Sequence, residues 1–291
     1  MDGAPELIGQ WDVTPTRTPW ERKALPSKKL AGTIPKGAFL FAVVIPCAIA
    51  QSSAAPAAQE LIAIAERGIL LNEYDQAAWH ASDAAQTANP KTVEGQHYIA
   101  KKENGKWNVV FGKLTADKNL FEIHYEAVQQ AKPQEFRVTE ETVQRADSGF
   151  YLFAARAIEL TQHDFQGVNR PYNMAVLPAP QDQLYVYVYP AQTKPRIYPL
   201  GGDVRYLISP DGNKIIDRRQ MHKSILESPP LDKGKKPVAG FHTHVLSDLP
   251  EDTDVFHVLT QDPRVPELVG TPHFIYKVLV DGTITIEKSK K

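Results

Sequence analysis

The sequence predicts an α+β protein: a small helix-plus-β-meander region followed by a mixed sheet flanked by helices. Three observations predict it. Residues 57–68 and 150–162 carry apolar side chains at three- and four-residue spacing, the mark of helices with one buried face. Elsewhere the period drops to two, in HYIAKK, KWNVVFGKL, FEIHYEAV and LYVYVYP. Turn dipeptides at Asn104-Gly105, Asp211-Gly212 and Asp281-Gly282 join neighbouring strands as hairpins.

In chain order, residues 1–50 read as an N-terminal extension and signal peptide. Met1 to Pro35 has scattered prolines and is expected to lack regular structure. Gly37 to Ala50 (GAFLFAVVIPCAIA) carries no charge, follows Arg22, Lys23, Lys28, Lys29 and Lys36, and ends in Ala48-Ile49-Ala50, an A-x-A cleavage pattern. The run is shorter than the roughly 20 residues that span a bilayer as a helix, and it contains Pro46. The expectation is a periplasmic or secreted protein with no stable membrane span after cleavage.

Residues 51–147 form the helix-plus-meander region. A first helix at Ala57–Gly68 stops at its glycine, and a second, alanine-rich helix covers Tyr74–Ala88 before Asn89-Pro90. Three antiparallel strands follow, and the polar stretch from Pro133 to Ser148 reads as a linker. Residues 148–291 begin with the helix Phe150–Gln162. They continue through the strands MAVLPA, LYVYVYP, DVRYLIS and NKIIDRRQ, a polar loop at Glu227–Lys236, the strand PVAGFHTHV, a helix at Asp252–Thr260, and a closing hairpin. Leu184, Val186 and Val188 alternate with Tyr185, Tyr187 and Tyr189, which predicts a strand sandwiched between two layers.

Composition narrows the function. Lys+Arg 33 against Asp+Glu 34 gives a net charge of -1, without the basic excess of a nucleic-acid binder. Residues 51–291 hold 27 basic against 30 acidic side chains and no cysteine. Neither a disulfide nor a thiolate cluster can therefore form after cleavage, and any metal must use His and carboxylate ligands. The lack of a Gly-x-Ser-x-Gly elbow removes serine-elbow hydrolysis.

One histidine pair has a spacing with chemical meaning. His242 and His244 sit at i and i+2 on a strand, so both imidazoles share one face. Asp254 lies in the first turn of the next helix, where the helix dipole favours a carboxylate. Two imidazoles and one carboxylate form three ligands of a divalent ion, zinc or another, with a fourth tetrahedral position left for water. His257 shares a helix face with Asp254. Asp248, Glu251 and Asp252 crowd the intervening loop as helix-capping residues.

The stretch Val238–Leu259 (VAGFHTHVLSDLPEDTDVFHVL) resembles the core of the JAMM (MPN-type) metalloproteases, whose motif is H-x-H, a short loop, Pro-Ser-x-x-Asp and a helix. The resemblance covers roughly the C-terminal half. It implies His242, His244 and Asp254 as metal ligands, with Pro250 as the loop proline. The motif serine falls on Glu251, and no glutamate stands where the family places its general base, at Asn169–Asn173. Glu251, or Glu227 before the histidine strand, is then the candidate base. Two functions remain open: a zinc-dependent peptidase or amidase with Glu251 catalytic, or a catalytically inert binding or scaffold module of the cell envelope whose partner is a protein or peptide.

Overall fold

The computed structural model describes residues 11–12, 58–88, 96–227 and 237–289, all within one compact unit. The apolar stretch Gly37–Ala50, its cleavage site and Cys47 lie outside the described residues, as does most of the loop Glu227–Lys236. Within the segment expected to lack regular structure, Trp11–Asp12 forms a two-residue strand, β1.

Helix α1 runs unbroken from Ala58 to Ala88, where the sequence predicts two helices. Its buried residues, Leu61, Ile64, Gly68, Leu71, Tyr74, Ala78, Ala81 and Ala85, follow one stripe at three- and four-residue steps. Gly68 is not a stop but a crossing point. A Cβ there would lie 2.5 Å from the Asp252 carbonyl oxygen and 2.5 Å from Val255 Cβ of the last helix. Glycine within a helix costs about 1 kcal/mol relative to alanine, and close helix packing offsets that cost. Because backbone stands in the way, Gly68→Ala is expected to lower stability by about 1–3 kcal/mol, read as a lower urea midpoint with an unchanged slope.

Four antiparallel strands follow: β2 (His97–Glu103), β3 (Lys106–Leu114), β4 (Phe121–Gln129) and β5 (Phe136–Asp147). The stretch expected as a linker is thus largely the fourth strand of the meander, paired with β4 from Gln129↔Phe136 to Phe121↔Asp147. Its composition is polar because it is an edge strand, and charge on an edge discourages further pairing.

Helix α2 (Phe150–Asp164) leads into β6 (Pro171–Pro178), β7 (Leu184–Pro190), β8 (Leu200–Gly201), β9 (Val204–Ile208), β10 (Ile215–Gln220) and β11 (Ile225–Leu226). The central sheet has the order β1-β6-β7-β9-β10, and β8 pairs with β11 apart from it. Strand β7 is sandwiched as its alternation predicts. Leu184, Val186 and Val188 pack with α2, while Tyr187 and Tyr189 pack with α1. Both apolar clusters also take residues from the meander, Val110 and Phe121 in one and Val109 and Phe111 in the other, so the core runs across position 147/148.

The C-terminal sheet is β12 (Gly240–Thr243), β13 (Glu267–Gly270), β14 (Phe274–Val278) and β15 (Ile284–Ser289), with helix α3 (Asp252–Thr260) between its first two strands. Strands β12 and β13 are parallel and the others antiparallel. The unit β12-α3-β13 is therefore a crossover, which brings the C-terminal end of β12 beside the first turn of α3. Val255 and Val258 of α3 pack on Val269, Tyr276 and Val278, and Leu61 and Ile64 of α1 complete this cluster. Among the described residues no helix is long and apolar enough to cross a membrane.

Candidate metal centre

Strand β12 presents His242 to the interior, and the chain keeps that alternation one residue past its end, so His244 is buried on the same side while Phe241 and Thr243 face out. Asp254 is the third residue of α3 and is fully buried. Its Oδ2 accepts the Glu251 N–H at 2.7 Å, while the Glu251 side chain caps the same helix turn, a reciprocal capping box. Strand, loop and cap thus hold the three residues singled out in the sequence against one another.

A fourth residue joins them. His222, two residues beyond β10, places Nε2 2.9 Å from His244 Nε2 and 3.0 Å from Asp254 Oδ1. His242 Nε2 lies 3.1 Å from His244 Nε2 and 3.0 Å from Asp254 Oδ1, and His244 Nε2 lies 3.3 Å from Asp254 Oδ2. All four ligand atoms fall within 4.8 Å of one another, and the group could hold a metal ion. A tetrahedron with bonds of about 2.0–2.1 Å has edges of roughly 3.3 Å, and five of the six residue pairs, at 2.9–3.3 Å, lie near that value.

Each imidazole is oriented by its other nitrogen. His222 Nδ1 faces Asp203 Oδ1 at 2.9 Å, His242 Nδ1 faces Glu267 Oε1 at 2.9 Å, and His244 Nδ1 faces the Leu249 carbonyl oxygen at 2.8 Å. All three partners only accept when ionised or carbonyl, which places a proton on each Nδ1 and leaves each Nε2 aimed inward, ready to ligate once it is deprotonated. This is how metal-binding histidines are held by their surroundings. Gly240 permits the Glu267 contact: a Cβ at that position would stand 1.7 Å from Glu267 Oε2.

Electrostatics favour a cation at the centre. Asp203, Asp254 and Glu267 are all buried beside the three imidazoles, and buried carboxylates need compensating charge. Burial works against ionising His222, but Asp203 and Asp254 outweigh it and hold its pKa well above the usual histidine value. Burial likewise opposes the charged form of His242, yet Asp254 and Glu267 raise it to about 9. Burial would raise the Asp254 carboxyl; the three histidines instead hold it well below the usual carboxylate range. In the metal-free protein at pH 7, His222 and His242 therefore carry protons that an ion must displace. Binding of a divalent ion is expected to release about two protons at pH 7, measured by titration calorimetry in buffers of different ionisation enthalpy, and affinity is expected to rise with pH as both imidazoles deprotonate.

Both candidate bases are paired with arginines. Both Glu251 carboxylate oxygens accept from Arg219, Nε at 3.0 Å and Nη2 at 2.6 Å, and burial raises its pKa against the pull of that guanidinium. Glu227 pairs with Arg170 at 2.9 Å. Asp252 takes Arg67, Arg205 and the Tyr187 hydroxyl, and Asp248 holds the His273 imidazole. His257, on the same helix as Asp254, is not one of the converging ligands, and burial lowers its pKa.

His222, Asp203 and Glu267 belong to no motif in the sequence and join the centre only in the fold. A signal for the first two was present. The Asp211-Gly212 turn folds β9 onto β10 with Val204 opposite Gln220, which carries Asp203 to the backbone of Met221 and His222. No family model, curated protein or solved structure matches this chain.

Proposed function

We propose that this chain is a JAMM-like module whose divalent ion, zinc or another that suits three nitrogen donors and one oxygen, is held in a closed centre and serves binding or scaffolding rather than hydrolysis. The observation that carries the proposal is His222 Nε2, a fourth ligand atom that converges with those of His242, His244 and Asp254, where a catalytic zinc site would have three protein ligands and a water. A hydrolytic ion needs an open position and a carboxylate facing it, whereas Glu251 and Glu227 are each engaged by an arginine. When bound, the ion supplies fixed positive charge. The residues supply the rest: the segment after β10, strand β12 and helix α3 each contribute ligands, so the centre ties together elements far apart in sequence.

Export to the periplasm or exterior belongs to the same proposal and rests on the apolar stretch Gly37–Ala50 and its A-x-A end. Without cysteine after residue 50, such a chain gains from a metal the cross-linking that disulfides give other exported proteins. Metal analysis of the purified chain tests the proposal. About one zinc per chain, together with no turnover of peptide or amide substrates, is expected. Steady hydrolysis that disappears on chelation would overturn the binding role, and metal-free protein with an unchanged melting temperature on adding zinc would overturn the centre.

A further inference from the structure

Three of the four converging residues belong to the C-terminal sheet and its helix: His242 lies on β12, His244 one residue past its end, and Asp254 on α3. His222 comes from the central sheet, two residues beyond β10. The residue that closes the centre therefore depends on how the end of β10 docks against the first turn of α3. That docking is matched residue by residue. Arg219 donates to Glu251 through Nε at 3.0 Å and Nη2 at 2.6 Å, Thr253 Oγ1 lies 3.9 Å from Met221 Sδ, and His222 Nε2 lies 3.0 Å from Asp254 Oδ1. Residues 219, 221 and 222 meet 251, 253 and 254 in step, each pair 32 apart in the chain.

The first of these contacts is the strongest that involves no metal ligand. A guanidinium fork on a carboxylate fixes angle as well as distance, and Glu251 is buried. Glu251 also caps α3, and its N–H reaches Asp254 Oδ2 at 2.7 Å, so the residue that Arg219 grips is itself joined to a ligand. A second arginine provides the contrast. Arg205 stands directly opposite Arg219 on β9 and donates to Asp252. Asp252 also takes Arg67 and the Tyr187 hydroxyl, so it keeps two donors when Arg205 is removed. Glu251 has Arg219 as its one cationic partner among the described residues.

We propose that Arg219 is a positioning residue for the metal centre: its fork on Glu251 sets the end of β10 against α3 so that His222 reaches the ion. Without that fork, His222 withdraws and a water takes its place, which turns the closed centre into an open one. The inference deepens the closed-centre reading above and rests on it. Residues that orient metal ligands commonly set affinity by about 10- to 100-fold, and here the oriented ligand also decides whether the ion meets solvent.

Cobalt(II) added to the metal-free full chain, with azide as the probe for an open position, tests the proposal. An ion enclosed by four protein ligands has no place for azide, whereas one with a water ligand exchanges it and its visible absorption changes. The unmodified chain is expected to give a spectrum that azide leaves unchanged, with His222→Ala as the responsive reference. Arg219→Ala is expected to bind cobalt about 10- to 100-fold more weakly and to respond to azide. Because that change strands a buried carboxylate, Arg219→Ala with Glu251→Gln is the companion variant; it keeps a capping oxygen and is expected to respond as well. Arg205→Ala is expected to lose stability yet stay silent to azide. If Arg219→Ala and its companion are silent at the parent's affinity, or if Arg205→Ala responds as they do, the positioning role is overturned and the closed centre stands. An unmodified chain that takes up no cobalt, or that itself responds to azide, would overturn the closed centre and this role with it.

Discussion

Asp254→Ala is expected to abolish stoichiometric metal binding and to lower stability by about 3–5 kcal/mol, the cost of removing one partner from a buried charged cluster. Two effects combine. The carboxylate is the common partner of three imidazole Nε2 atoms, at 3.0, 3.0 and 3.3 Å. It also accepts the Glu251 N–H that begins α3. Loss of the cap alone accounts for about 0.5–2 kcal/mol, so a larger loss reports on the imidazole cluster. The control is Asp248→Ala on the same loop, which removes a solvent-facing pair with His273 and is expected to cost no more than about 1 kcal/mol. Urea denaturation with metal analysis of each variant measures both.

His222→Ala is expected to weaken zinc binding by more than about 100-fold, since even the residues that merely orient metal ligands are worth 10- to 100-fold. It also leaves the Asp203 carboxylate, 1% exposed, without the imidazole it faces. His257→Ala is the comparison, because His257 lies on α3 near the centre yet is not among the converging ligands. That variant is expected to keep its metal. If His222→Ala bound zinc as tightly as the unmodified chain, the closed centre would be lost and the three-ligand arrangement with an open position would return.

Local spacing explains which features could be read from the sequence. His242 and His244 were legible because a strand puts i and i+2 on one face, and Asp254 because a helix start follows within one loop. The bounds of α3 and β7 followed from period and turn residues alone. β5 was hidden because an edge strand has little to bury, so FRVTEETVQRAD has the composition of a linker. β13 is four residues long and leaves no period to detect. Gly68 has one sequence signature for two roles, a helix end or a close crossing, and the partner that decides between them, Asp252–Val255, lies far along the chain. His222 belongs to the same class. Its place depends on the register of the β9-β10 hairpin, which its turn implies but which no single motif states.

The proposed centre is an ion held by three imidazoles and one carboxylate. Zinc-edge X-ray absorption of the purified full chain tests this most directly. The expected spectrum has four nitrogen or oxygen neighbours at about 2.0–2.1 Å, with multiple scattering that fits three imidazoles and becomes two in His222→Ala. A chain without metal, or a metal with two imidazoles and a water in the unmodified protein, would contradict it.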